Sequence, residues 1–420
     1  MRLNRDISKI KNRKVEIDEA SEKSVKSILT DVKENGDKAV RKYAERFDGF
    51  TGEDLLVSKD EIKEAVLRVG DDFMRILQRA CGKIMEFHVN QIDKSWGIYK
   101  DNGVMMGQII RPLKTVALYV PGGTAAYPST MLMNAVPATL AGVSYIVVFT
   151  PVKSDGKVAD VILAAAACCG INKVYKIGGA QAIAAAAYGT ETIPKVDKIV
   201  GPGNIFVTTA KRLVYGDVDI DMIAGPSEIL IIADETANPK YVAADLMSQA
   251  EHDEMASSIL ITTSEELIIE TEKEIERQLE YLKRKDIIES SLKSYGAAIL
   301  VDSLDKAFEI ANDVAPEHLE ILTKNPLEKL PKVQNAGSIF LGENTPEPLG
   351  DYMGGTNHIL PTSGTARFSS PLGVYDFVKF SSYSYYPREV LSEFKDDVMK
   401  FAELEGLDAH TNSMRVRFEE

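Results

Sequence analysis

The chain has little cysteine, and what it has follows no recognisable pattern. There are 3 in 420 residues: Cys81 alone, and Cys168 beside Cys169 in ILAAAACCGI. That spacing gives neither a disulfide framework nor a CxxC metal site, so packing is the use assigned to all three. Long apolar runs are missing too. No uninterrupted stretch approaches membrane-spanning length, and the opening MRLNRDISKIKNRK lacks the apolar core of a signal peptide, so a cytoplasmic protein is expected. Positive charge is in deficit: 49 Lys and Arg against 63 Asp and Glu leave a net charge of −14, scattered along the chain rather than gathered in a tail. Such a surface argues against a nucleic-acid partner, while a dinucleotide or small metabolite, held by local groups, stays compatible. The usual dinucleotide fingerprint is also absent, since no GxGxxG follows a strand-like run.

What is present is ordinary soluble-globular material, 45% hydrophobic and 27% charged, and enough of it for two or three domains. Residues 20–95 read as helical, with Val25, Ile28, Leu29 and Val32 recurring at spacings of three and four and Gly36 or Gly49 breaking the pattern. From about residue 114 the rhythm changes to short β-rich runs, TVALYV, YIVVFT, KVYKI and DKIV, each followed by a helix-compatible stretch. It continues through SEILIIAD, a helix opened by Asn238-Pro239, SSILITTS, a charged helix to about residue 284, GAAILVD, HLEILT and GSIFLG. This alternation predicts βαβ units and two α/β sheets. From about 344 to 386 the chain is rich in Gly, Pro, Ser and Thr, too long for an idle connection, and a last helix, REVLSEFKDDVMKFAELE, ends at Gly406.

Four strand ends carry glycine: YVPGGTAAYPST, KIGGAQAIAAAA, IVGPGNIFVTTA and IAGPSEIL. One such turn is only a tight βα connection, but four in succession suggest a nucleotide cleft. Polar chemistry gathers elsewhere. In LMSQAEHDEM, Gln249 and His252 lie three apart, on one face of the helix from Pro239; alone, the pair is weak evidence for metal, because glutamine is an uncommon zinc ligand. In VAPEHLEI, Glu317 and His318 follow Pro316 at the mouth of a strand, where a carboxylate can deprotonate water and an imidazole can shuttle a proton. Asp351 and His358 fall in LGDYMGGTNHILPTSGTARFSS, whose glycines allow close backbone approach, and His410 follows a helix terminator in EGLDAHTNSMRVR, with Glu405 just upstream.

These motifs together make the chain resemble the histidinol dehydrogenases: YVPGG, GGAQAIAA, GPGN, AGPSE, DLMSQAEHD, APEHLE, GDYMGGTNHILPTSGTARFSS and EGLDAHTNS run in order along nearly its whole length. The resemblance implies an α/β fold of two Rossmann-like, aldehyde-dehydrogenase-like αβα domains with small N- and C-terminal extensions. The division it implies is 1–21 as an N-terminal extension, 22–112 with 229–372 as the first domain, 113–228 as an inserted NAD-contacting domain, and 373–420 as a C-terminal helical extension reaching a partner subunit. It implies an intertwined homodimer, one zinc per active site, and NAD as oxidant of L-histidinol through the aldehyde to L-histidine, the last steps of histidine biosynthesis. By resemblance Gln249, His252 and Asp351 hold zinc with His410 from the other chain; His318 accepts the alcohol proton and Glu317 activates the hydrating water. Ser227, Gln249, His252, His318, Asp351, Glu405 and His410 match substrate contacts, Tyr119, Gln181 and Asn204 match NAD contacts, and His358 has no assigned role. The alternative from another class is a zinc-dependent hydrolase using Glu317 as general base, and a third is a silent metabolite-binding protein. A thiohemiacetal route of the aldehyde-dehydrogenase kind has no obvious nucleophile among the three cysteines.

Overall fold

Runs of aliphatic and β-branched residues with no polar alternation can be strands only if both faces are covered, and the computed structural model, which describes residues 2–11, 18–122 and 126–419, covers them. The first strands of the chain, β1 (Trp96–Tyr99) and β2 (Met105–Pro112), are antiparallel and belong to a small unit of residues 93–112 and 378–420; the rest forms a larger unit.

The larger unit holds two parallel five-stranded sheets. One comprises β3 (Thr115–Tyr119), β4 (Tyr145–Thr150), β5 (Val174–Lys176), β6 (Lys198–Val200) and β7 (Asp219–Ile220), in the order β5-β4-β3-β6-β7. The other comprises β8 (Glu228–Ala233), β9 (Ser257–Thr262), β10 (Gly296–Leu300), β11 (His318–Leu322) and β12 (Ser338–Leu341), in the order β10-β9-β8-β11-β12. Each sheet therefore runs third-second-first-fourth-fifth, the doubly wound order, with its chain reversal between the first strand and the fourth. The expected α/β class with two Rossmann-like sheets is what the chain forms.

The helical N-terminal region is two long helices, Glu19–Asp48 and Lys59–His88, each broken at a glycine of positive φ, Gly36 and Gly70. Gly49 is instead the left-handed cap that ends the first of them. Their apolar stripes, Val25, Ile28, Leu29 and Val32 among them, share one core with β3, β4 and the helices Asp160–Cys168 and Gly179–Tyr188. This packing departs from the expected division: residues 22–88 join the sheet of 113–228 rather than that of 229–372, because their stripes close the outer face of the Ala-rich helices of that sheet. The charged helix also stops early, at Leu279, and a separate helix, Lys285–Tyr295, precedes β10.

In the small unit the remaining strand, β13 (Val378–Tyr385), pairs antiparallel with β2. Residues 93–112 thus pair with the C-terminal segment, whereas the expected division had placed them with 22–92 in the first domain. The final helix is divided at Phe394 into Arg388–Glu393 and Lys395–Leu404, and Gly406 takes the left-handed conformation as its terminator; Asp408–Arg415 follows.

Candidate active site

The central strands of the second sheet, β8 and β11, run side by side with His318 opposite Ile229, so Ser227-Glu228 and Glu317-His318 meet where both strands begin. The helix before β11, Leu304–Val314, ends on Ala315 at φ 52, and Pro316 then commits the chain to extended backbone. Ala315 and Ser363 (φ 55) are the non-glycine residues of positive φ among the described residues, and both adjoin this site, where such strain tends to collect.

Glu228 organises the pair. Its backbone N–H donates to Glu317 Oε2 at 2.9 Å, its carbonyl accepts from His318 Nδ1 at 2.9 Å, and its own carboxylate accepts the N–H of Ser363 at 3.1 Å. A carbonyl can only accept, so Nδ1 carries the ring proton and Nε2 keeps its lone pair. Burial lowers the His318 pKa to about 4, which leaves the ring neutral at physiological pH. Burial also pushes the Glu317 carboxyl well above the ordinary range, with Glu228, Asp351 and Glu347 adding repulsion against the pull of the Glu228 N–H.

A helix of one and a half turns, Glu347–Tyr352, brings in two more carboxyls. Glu347 Oε1 lies 3.7 Å from His318 Nε2, and burial, then the neighbouring Asp351, pushes its pKa up to about 9. Asp351 behaves oppositely: burial works to raise it, but His358, whose Nδ1 is 3.5 Å from Asp351 Oδ1, prevails with help from His318 and His252 and holds it below the usual value. His358 also faces the Thr130 hydroxyl, 3.3 Å from its Nε2.

Gln249 sits in the last turn of the helix Pro239–Ala250, buried, with Oε1 lacking any hydrogen-bond partner, and His252 stands exposed just past the helix end. Gln249, His252, Ser227, Glu317, His318, Glu347, Asp351 and His358 all line one cavity of about 280 Å³. Its donors suit a divalent metal. An orphaned buried amide oxygen wants an electrophile, the C-terminal end of a helix is the negative pole of its dipole, and ligand atoms of His318, Glu347 and Asp351 lie within 4.8 Å of one another. Asp351 is common to this trio and to the expected set; Glu347 was not foreseen, although its i,i+4 relation to Asp351 in EPLGD was the signal that could have found it.

A second cavity, of about 900 Å³, opens at the other kind of strand end, beyond the carboxyl termini of β3, β5 and β6. Tyr119, Gln181 and Asn204 all line it, together with Asp48. The Tyr119 hydroxyl accepts the N–H of Gly179 at 3.0 Å, and burial raises its pKa to about 12. Gln181 is buried with neither amide atom satisfied. Asn204 caps the helix Ile205–Val214, its Oδ1 accepting from Phe206 and Val207 at 3.1 Å each. Of the four glycine-rich strand ends, part of the first, residues 123–125, lies outside the described residues. The cysteines are half-buried against the core of the first sheet, and among the described residues neither cavity is lined by one. Glu405 and His410 belong to the small unit, where both are exposed.

The family model described as histidinol dehydrogenase matches residues 11–418. The histidinol dehydrogenase of Lactococcus lactis subsp. lactis is 60% identical over 414 residues, covering 98% of this chain and 96% of that one. That of Clostridium acetobutylicum is 61% identical over 396 residues, covering 94% and 92%. The crystal structure of histidinol dehydrogenase from Elizabethkingia anophelis superposes with a TM-score of 0.93 at 40% identity, covering 99% of this chain and 96% of that one. With a family model and close relatives spanning almost every residue, this chain belongs to the histidinol dehydrogenase family of oxidoreductases.

Proposed function

We propose that this chain carries out the NAD-dependent, four-electron oxidation of L-histidinol, through L-histidinaldehyde, to L-histidine in the last steps of histidine biosynthesis. The observation that carries the reading is the fixed tautomer of His318: a buried, neutral imidazole with Nδ1–H donated to the Glu228 carbonyl and Nε2 left as a base beside oxygen and nitrogen donors.

His318 Nε2 takes the proton of the substrate alcohol as its carbon gives up hydride. Glu317 then acts on the aldehyde. A carboxylate whose proton affinity is raised by burial is a better base than an exposed one, and it removes a proton from the water that adds to the carbonyl carbon, giving the hydrate that the second oxidation converts to the acid. Direct hydration fits a site that has no cysteine in its lining. NAD, bound in the cavity of Tyr119, Gln181 and Asn204, supplies the hydride acceptor for both oxidations. Gln249, His252 and Asp351, with His410 of the partner subunit, would hold a zinc ion, which when bound would offer an anchor for the substrate's imidazole and amine. Ser227 and Glu405 are substrate contacts in the same reading.

The donation of His410 requires an intertwined homodimer. Support for a partner comes from the small unit, which leaves Trp96, Tyr99, Phe401 and Leu404 largely exposed, the last at 75%. No helix among the described residues is long and apolar enough to cross a membrane, and a cytoplasmic enzyme is proposed.

The test is to supply purified protein with L-histidinol and NAD and follow absorbance of the reduced nicotinamide. About two NADH per histidinol are expected; hydrolysis or binding without any change in that absorbance would sink the dehydrogenase reading. Mixing Glu317→Ala chains with His410→Asn chains is expected to regenerate one intact site per mixed dimer. No recovery after confirmed subunit exchange would place both groups in one chain or show that each lesion damages both sites.

A further inference from the structure

One turn, Gly201-Pro202-Gly203-Asn204, separates the two cavities: its first three residues line the site of His318 and Asp351, and Asn204 lines the cleft of Tyr119 and Gln181. The turn is gripped at its first residue by an ion pair with side chains only 3% and 1% exposed, Lys211 and Asp221. Lys211 Nζ donates to the Gly201 carbonyl at 2.8 Å and to Asp221 Oδ1. Asp221 Oδ2 accepts the Gly201 N–H at 2.7 Å, and Oδ1 accepts the N–H of Met222, also at 2.7 Å. Both polar groups of Gly201 thus end on one internally neutral pair. The opposite side of the residue is closed: Gly201 has φ +111, and a Cβ there would stand 2.1 Å from the Tyr119 carbonyl oxygen. The turn cannot move toward β3 and is tied away from it.

A buried ion pair is a poor source of net stability, since desolvating two charges cancels most of their attraction. What this pair supplies is direction, because each charge points at a different atom of one residue. We propose that Lys211 and Asp221 are positioning residues for the oxidation: they fix the 201–204 turn as the common wall of the two cavities and so set how closely the reactive end of the dinucleotide approaches the substrate carbon. The inference rests on the dinucleotide reading of the larger cavity given above. Lys211 is not itself a substrate contact in this account, because its ammonium is already committed to the Gly201 carbonyl and the Asp221 carboxylate.

Lys211→Met keeps the length of the side chain and removes its charge and donors; Lys211→Met/Asp221→Asn removes both charges and leaves none buried without a partner. Kinetics with NAD and histidinol, fluorescence titration with NADH, calorimetry with histidinol alone, and zinc affinity by chelator competition are measured on wild type and both variants. The expected result is a split. Displacing the wall by about 1 Å lowers kcat by about 10²-fold and weakens NADH on the order of tenfold. Lys211 and Asp221 also line the cavity of Gln249, His252 and Asp351, but their hydrogen bonds go to Gly201, Met222 and each other, so histidinol and zinc affinities fall by less than NADH affinity, about threefold at most. Unchanged kcat and NADH affinity would overturn the proposal, and so would a loss shared equally by NADH, histidinol and zinc, which marks a general structural lesion. If Lys211→Met alone fails to fold, the double variant decides by the same split. Wild type that forms no NADH from histidinol would refute the proposed function instead, and NADH titration would then still decide the role of the turn.

Discussion

The two five-stranded sheets share one strand order and one pair of central strands, yet they use opposite ends of that pair. In the first, the cleft lies beyond the carboxyl ends of β3 and β6, at the chain reversal where open parallel sheets ordinarily bind ligands. In the second, the reactive groups lie at the amino ends of β8 and β11. The physical offerings of these ends differ. A carboxyl edge presents glycine turns and helix N-termini, hence peptide N–H groups and a positive dipole end, which suit phosphates. An amino edge receives helix C-termini: the helix Pro239–Ala250 leaves β8 at its far end and returns, so that Gln249 and His252 arrive at the negative pole of a helix dipole, a setting that favours a cation. In the proposed function, one topology used from both ends would serve an anionic co-substrate on one sheet and a cationic centre with its acid–base groups on the other.

That division of labour can be broken at either end, and the largest effect is expected from the metal. Stripping divalent ions with a strong chelator is expected to abolish NADH formation and zinc to restore it, while NADH binding measured by fluorescence persists throughout. Loss of NADH binding on chelation would show that the two ends are not separate. Replacing His318 by Asn removes the Nε2 base and is expected to lower kcat by about 10²–10⁴-fold, again with NADH affinity unchanged. At the other sheet, Gln181→Ala removes an amide that is buried without an internal partner, and is expected to raise the KM for NAD about tenfold, some 1.4 kcal/mol, with little change in histidinol affinity. A fall in histidinol affinity as large as that in NAD affinity would contradict the assignment of Gln181 to the carboxyl-edge cleft.

The legibility of these two ends in the sequence was unequal. Strands such as YIVVFT and SEILIIAD stand out because a parallel sheet buried on both faces leaves no polar alternation, and the helix start at Asn238-Pro239 is marked by its cap. The antiparallel β1, β2 and β13 have no legible pattern: they are largely exposed or half-buried, β1 and β2 carry glycine, and β13 pairs with β2 across some 270 residues of intervening chain, which no local pattern can reveal. Gln249 and His252 are readable as a converging pair, and the roles proposed for Glu317, His318 and Asp351 rest on the resemblance of the long ordered motifs. Glu228 was not readable, because it works through its backbone N–H and carbonyl as much as through its side chain. Nor was the end of the sheet: the position of Glu317-His318 before a strand is local, but which strand lies beside it is a product of the strand order.

The smallest expected effect tests whether the carboxyl-edge cleft is as free of buried charge cost as the comparison implies. Asp48, in its lining, accepts the Gly178 N–H at 3.2 Å, and burial raises its pKa, the hydrogen bond opposing more weakly. A carboxyl that holds its proton more tightly in the folded state contributes stability that is fully present below its unfolded pKa and is lost as pH rises through the folded value. At pH 7 wild type therefore bears the cost of a partly desolvated charge. Asp48→Asn keeps an oxygen for the Gly178 N–H and never ionises, so it is expected to melt higher than wild type at pH 7, on the order of 1 °C for a chain of this size. The gap should narrow as pH falls into the carboxyl range, because the protonated aspartic acid and the amide then differ little. Melting temperatures of the two proteins from pH 8 to pH 4 decide it: a constant gap would assign the difference to packing, and a gap that closes in acid would show that even the peptide-lined end of the molecule retains one carboxylate at a cost in stability.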